Sequence, residues 1–158
     1  MIARYKVILV LGFFISGPPL FAANLEKLTD WQVIEGDAAQ RQVPVVLLID
    51  QSGCNYCERL KQDIIEPVLK RQGNHQKAII RYISIDDDES IVDQTGTVVE
   101  SHMFARRFGM EITPTVLFLD ENARQLAQPL VGYSGDDFYL YYLDKAIESA
   151  QSLIDSRP

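Results

Sequence analysis

The chain has 158 residues, and its 15 Lys and Arg against 22 Asp and Glu give a net charge of −7. That acidic balance repels phosphate backbones and argues against nucleic acid as a partner. There is no basic stripe, Gly-rich phosphate loop, internal repeat or low-complexity segment, and two cysteines are too few for a fold stapled by disulfides.

The first residues read as an address. Arg4 and Lys6 precede an unbroken apolar run from Val7 to Ile15, then come Gly17, Pro18 and Pro19, and small residues close the segment at Ala22 and Ala23. Basic, apolar and small-residue regions in that order are the layout of a secretory signal peptide, with the cut expected after Ala22 or Ala23. The apolar run is nine residues long, whereas a membrane-spanning helix needs about 20. An uncleaved anchor built on Val7 to Ala23 is the alternative. Removing residues 1–22 takes away Arg4 and Lys6, leaving 13 basic residues against 22 acidic and a charge of −9. The 136 residues that remain suffice for one compact domain, expected over 23–158.

From Thr29 to about Gln42, Trp31, Ile34 and Ala38 fall at helical spacing, with Thr29 and Gln32 as a capping pair. Val45 to Ile49 is apolar on both faces, as a central strand covered by helices would be. Gln51-Ser52-Gly53 is a turn, and Cys54-Asn55-Tyr56-Cys57 follows directly. The next helix places Cys57, Leu60, Ile64 and Val68 on one stripe, with Glu58, Arg59, Lys61, Gln62 and Asp63 opposite. Pro67 is expected to kink or break it near Glu66. Ala78 to Ile85 reads as a strand, followed by the acidic run Asp86 to Glu89, read as a solvated loop rather than a metal site. Asp93 to Gly96 is a turn, in the manner of a small hairpin.

A helix is expected from Val99 to Phe108, with Ser101, Phe104, Ala105 and Phe108 inward and Gly109 as its cap. Ile112-Thr113-Pro114-Thr115 leads into a strand at Val116 to Leu119. Asp120 to Arg124 turns into another strand over Leu126 to Val131, which Gly132 ends. Asp136 or Asp137 caps a last helix carrying Tyr139, Leu143, Ala146, Ile147 and Ala150 on one stripe. Strands separated by helices imply an α/β fold with parallel pairing first and a closing hairpin.

The cysteine pair is the chemical signal. It closes almost no loop, so it adds little folding entropy. A strand-to-helix turn places Cys54 where unpaired N–H groups and the helix dipole favour a thiolate, which lowers its expected pKa. Cys57, one turn in on the apolar stripe, is then buried and suited to resolving a mixed disulfide formed by Cys54. The spacing also occurs in zinc sites, but His75 and His102 are the only histidines and stand 27 positions apart. Both are read as surface residues, with no metal expected.

From Pro44 to the last helix the chain resembles the thioredoxin superfamily. The resemblance is carried by the apolar strand ending in Cys54-Asn55-Tyr56-Cys57, by Thr113-Pro114-Thr115 opening a strand, and by Val131-Gly132-Tyr133 before the last helix. Within the superfamily it is most similar to small periplasmic thioredoxin-like reductases, including the thioredoxin of sulfur-oxidation clusters. The resemblance implies a thioredoxin fold, a central mixed sheet with helices on both faces. It implies a cis Pro114 packed on the cysteine loop, with Thr113 and Gly132 lining a groove for extended substrate and Asn55 and Tyr56 beside it. It implies no cofactor beyond the redox-active disulfide Cys54–Cys57. The expected partners are disulfide-containing exported proteins and a membrane electron donor, and the expected state is a periplasmic monomer. Related oxidases and isomerases carry an inserted or added domain for which the chain has no room.

Two departures stand out. The buried acid of thioredoxins falls at Leu48, so Asp50 becomes the candidate proton acceptor, against an ordinary strand-end Asp making turn hydrogen bonds. At the closing hairpin Ala123 replaces the family's glycine, so Asn122 is expected to take the left-handed conformation. A thioredoxin-fold binding or chaperone module without redox turnover is the reading from another class.

Overall fold

The computed structural model describes residues 24–72, 77–86, 88–135 and 138–157. The expected signal peptide, His75, Asp87, Asp136 and Asp137 lie outside the described residues.

Helix α1, Trp31–Arg41, starts one residue later than the capping pair implies. Asp30 is its N-cap: its carboxylate accepts the N–H of Gln32 at 2.9 Å, a bond worth about 1 kcal/mol. A carboxylate in extended conformation directly before the helix does what Thr29 was expected to do. Trp31, Ile34 and Ala38 are buried, as their spacing requires.

Strand β2, Val45–Asp50, is buried throughout because it lies at the centre of the main sheet. It pairs in parallel with β3, Ile79–Ser84, and antiparallel with β6, Thr115–Leu119. A two-residue edge strand β1, Glu26–Lys27, adds to β3, and β7, Leu130–Val131, adds to β6. The sheet order is β1-β3-β2-β6-β7. Alternation along β2 sends Val45, Leu47 and Ile49 into one core with Trp31, Phe104 and Leu117. Val46 and Leu48 enter the other, with Leu60, Ile64, Phe118, Leu143 and Ile147. Helices therefore cover both faces, which is the α/β architecture read from the sequence.

Pro67 does not break its helix. Helix α2, Asn55–Leu60, runs into a π turn, Lys61–Ile65, and continues as α3, Glu66–Gln72. The N–H of Glu66 bonds to the carbonyl of Lys61. Widening the ladder there relieves the proline ring's clash with the carbonyl of Asp63, four residues earlier. The extra residue turns both Ile64 and Ile65 into the core.

Between β3 and helix α4, Ser101–Arg106, a hairpin pairs β4, Ser90–Val92, with β5, Val98–Glu100. That pairing delays α4 by two residues from the expected start at Val99. Ala123, not Asn122, takes the left-handed conformation, with φ 58°. The reason is Asp120, fully buried, whose carboxylate accepts the N–H groups of both Asn122 and Arg124 and fixes the turn around them. The expected strand from Leu126 shrinks to Leu130–Val131, since Pro129 has no N–H to give a ladder. Helix α5, Tyr139–Asp155, buries Leu143, Ile147, Ala150 and Ile154. No helix among the described residues is long and apolar enough to cross a membrane.

Candidate functional site

Three separate segments meet at one end of the sheet, and the strand register brings them there. Ile49 stands opposite Thr115, and Thr115 stands opposite Val131. The residues just past Ile49, just before Thr115 and just after Val131 are therefore neighbours in space. These are the Cys54–Cys57 turn, Thr113-Pro114 and Gly132.

Gly53 makes the turn out of β2 with φ 74°, and Cys54 becomes the N-cap of α2. Its Sγ accepts the N–H of Cys57 at 3.2 Å, while its carbonyl accepts the N–H groups of Cys57 and Glu58 at 3.0 and 3.2 Å. A sulfur in that position faces the positive end of the helix. Cys54 and Cys57 are joined as a disulfide with Cα atoms 5.2 Å apart. Cys54 is half-buried and Cys57 is fully buried. Asn55 and Tyr56 lie on the outer side of the turn, with Tyr56 57 % exposed.

The Thr113–Pro114 peptide bond is cis, and Pro114 is buried while Thr113 is partly open. The Thr115 hydroxyl donates to the carbonyl of Ile112 at 2.7 Å and closes this loop. Gly132, at φ 78°, donates its N–H to the carbonyl of Pro114 at 2.8 Å. Tyr133 then reaches the redox helix, where its hydroxyl donates to Asp63 at 3.1 Å beneath the guanidinium of Arg59.

Asp50 is the last residue of β2 and is 6 % exposed. One carboxylate oxygen is ion-paired with Lys61, and the other, Oδ1, is buried without a hydrogen-bond partner among the described residues. It is not an exposed strand-end residue bonding to its own turn. Lys61 also binds Glu58 at 3.0 Å and lies 4.8 Å above the Tyr82 ring. Burial works against the Lys61 charge, but the hydrogen bonds to Asp50 and Glu58 outweigh it and hold its pKa above that of an ordinary lysine.

Sequence reasoning put Lys61 on the solvent face of the helix and missed this pairing. No local signal marks it, because the partner is 11 residues away on another element. Asp86 was missed in the same way. Its carboxylate accepts the N–H and hydroxyl of Ser52 and the hydroxyl of Ser84, so it anchors the loop that leads into Cys54. Those serine hydrogen bonds hold the Asp86 carboxyl below its usual range. His102 lies on α4 beside Glu100, and among the described residues no group of three His, Cys, Asp or Glu could hold a metal ion.

The thioredoxin-like domain family matches residues 32–147. No curated protein matches the chain in sequence. Among solved structures, thioredoxin f from spinach chloroplast (short form) is similar with 18 % identity, 82 % of this chain and 97 % of its own covered, and a TM-score of 0.54. The reduced thioredoxin pre-protein of Schistosoma mansoni aligns at 17 % identity, covering 79 % of this chain and 96 % of its own, with a TM-score of 0.50. The reduced periplasmic thioredoxin SoxS from Paracoccus pantotrophus aligns at 22 % identity over 68 % of this chain and 98 % of its own, with a TM-score of 0.46.

Proposed function

We propose, from the premise that this chain belongs to the thioredoxin-like domain family and is a thiol–disulfide oxidoreductase with a Cys54–Cys57 disulfide, that it works as a reductase of disulfides in exported proteins. The observation that carries the assignment of roles is the asymmetry of the two sulfurs. Cys54 is half-buried and its Sγ accepts a helix N–H, whereas Cys57 is fully buried. In the reduced protein the Cys54 thiolate attacks a substrate disulfide and releases one substrate thiolate, forming a mixed disulfide. Cys57 then loses its proton to Asp50 and attacks the Cys54 sulfur. The Cys54–Cys57 bond forms, the bond to the substrate breaks, and the second substrate sulfur leaves and is protonated. Two electrons have passed from the dithiol to the substrate, and an external dithiol donor restores them.

Thr113, Pro114 and Gly132 form the groove wall, with Asn55 and Tyr56 on its rim. An extended substrate segment adds along Thr113 as a strand would, pairing backbone to backbone. The signal-peptide layout of residues 1–22 supports export to the periplasm, where disulfides form. A membrane-bound donor is the matching source of electrons, and a monomer is the matching state. The test is the reduction of insulin by the purified protein with dithiothreitol. The wild type accelerates it and Cys54→Ser abolishes the acceleration; full activity in that variant overturns the assignment. A binding module without turnover predicts instead that the double cysteine variant still complements a deletion.

A further inference from the structure

We infer that Arg59 is a specificity residue of the proposed substrate groove, selecting client segments that carry an aspartate or glutamate close to the reacting cysteine. This rests on the reductase reading above and names the class of client that the groove takes. Six charged side chains stand on the three segments that meet there, residues 50–63, 111–115 and 130–135. Five of them are closely paired: Asp50 and Glu58 with Lys61, Asp63 with the Tyr133 hydroxyl at 3.1 Å, and Glu111 with Arg106 at 3.0 Å. Arg59 is the exception. Its carboxylate neighbour among the described residues is Asp63, 4.0 Å from Nε, too long for a hydrogen bond. The terminal nitrogens Nη1 and Nη2 have no acceptor among the described residues, and the side chain is 56 % exposed.

The guanidinium is nonetheless held in place. Its central carbon lies 5.7 Å from the centroid of the Tyr133 ring, within the range of a cation–π contact. That ring is itself fixed. Tyr133 is buried, its hydroxyl donates to Asp63, and the Tyr139 ring meets it edge-on at 5.2 Å between centroids. Asp63 approaches Arg59 on the Nε side, which leaves the outer fork of the guanidinium for a ligand. An arginine stacked on a buried ring loses less freedom on binding than a solvated one.

Its position suits a client bound at Cys54. Tyr133 directly follows Gly132, whose N–H is bonded to the carbonyl of Pro114, so Arg59 stands over the end of the groove wall. Along the redox helix Arg59 lies five residues past Cys54, about 7.5 Å at the helical rise. In an extended segment two residues span about 7 Å and point their side chains to the same face. A carboxylate two residues from the client cysteine therefore matches the spacing from Cys54 to Arg59. A planar guanidinium takes such a carboxylate through two parallel N–H···O bonds.

The experiment uses the reduced full chain, freed of reductant, and peptides of sequence acetyl-Ala-X-Ala-Cys-Ala-X-Ala-amide. The cysteine carries 2-nitro-5-thiobenzoate, and X is Asp, Asn or Lys. The Cys54 thiolate bonds to the peptide sulfur, the bond to the nitrothiobenzoate breaks, and the coloured thiolate leaves with the electron pair. Cys57 then displaces the peptide thiolate and closes the Cys54–Cys57 disulfide. The second-order rate of colour release is read at neutral pH and about 0.15 M salt, where remote charges are largely screened. In the wild type the Asp peptide reacts about threefold faster than the Asn peptide, and the Lys peptide more slowly than either. Arg59→Gln brings the Asp-to-Asn ratio to about one and keeps the Asn rate within about twofold of the wild type, which guards against a simple loss of fold. Arg41→Gln removes the same charge at the opposite end of the sheet, before β2 begins, and keeps the wild-type ratio. An unchanged ratio in Arg59→Gln, an equal slowing of all three peptides, or a fall of the same size in Arg41→Gln overturns the specificity role. A wild type that releases no colour from any peptide overturns the reductase reading itself.

Discussion

The N–H of Gly132 donates to the carbonyl of Pro114 at 2.8 Å, and this bond joins the loop before β6 to the end of β7. It holds together the two segments proposed to line the substrate groove. Gly132 holds φ 78°, and a Cβ there would meet open space. The cost of Gly132→Ala is therefore backbone strain alone, about 1–2 kcal/mol. Urea unfolding followed by the fluorescence of the single tryptophan, Trp31, measures it. The expected result is a lower midpoint with an unchanged slope, together with a raised KM for insulin.

Asp86 holds the turn in front of the nucleophile through Ser52 and Ser84. Asp86→Ala leaves the Ser52 N–H without its acceptor and frees the loop. The expected loss is about 1–2 kcal/mol of stability and a several-fold fall in kcat/KM with dithiothreitol and insulin. Ser52→Ala removes only the hydroxyl bond and should cost less than half as much.

Arg157 closes the far end of the molecule. It donates to the fully buried Asp120 at 2.8 Å and to Glu121 at 3.0 Å. Asp120 in turn organises the turn around Ala123. Arg157→Ala strips the cation from a buried carboxylate, but the guanidinium is itself 39 % exposed, so water replaces part of the loss. We expect about 1–2 kcal/mol in thermal unfolding with no change in insulin reduction, because the contact is remote from Cys54.

Asp93 contributes to the pH dependence of stability on the acid side. It is buried and accepts from the Thr95 hydroxyl, the N–H groups of Thr95 and Thr97, and Arg107. The Thr95 hydroxyl bond is the strongest influence; with the Arg107 ion pair it overcomes burial and lowers the carboxyl pKa far below its usual 3.8. A lowered folded-state pKa means stability that is fully present above about pH 3.8 and lost as pH falls through the lowered value. Asp93→Asn is expected to be less stable than the wild type at pH 7, with the gap closing below pH 3.8. A gap that stays constant down to pH 2 contradicts this.

The sequence shows the chemistry more readily than the wiring around it. Cys54, Cys57, Pro114 and Gly132 are legible because each is a residue type whose covalent or backbone properties are rare and whose place between a strand and a helix, or at a strand end, is set locally. The buried strand at Val45 and the stripe at Cys57, Leu60 and Ile64 are legible from periodicity. The pairings of Lys61 with Asp50 and of Asp86 with Ser52 are not, since each joins polar residues that look like ordinary surface and are brought together by the sheet. The π turn escapes for a different reason. Whether a proline breaks a helix or widens it depends on how much apolar surface the next turn can bury, and Ile64, Ile65, Val68 and Leu69 bury enough to carry the helix on.

On the proposed reading the Cys54–Cys57 couple works as a reductant. Its equilibrium reduction potential against glutathione or dithiothreitol is the most direct measurement. A value near that of thioredoxin, about −270 mV, is expected; a value near the strong periplasmic oxidases, about −120 mV, would contradict it.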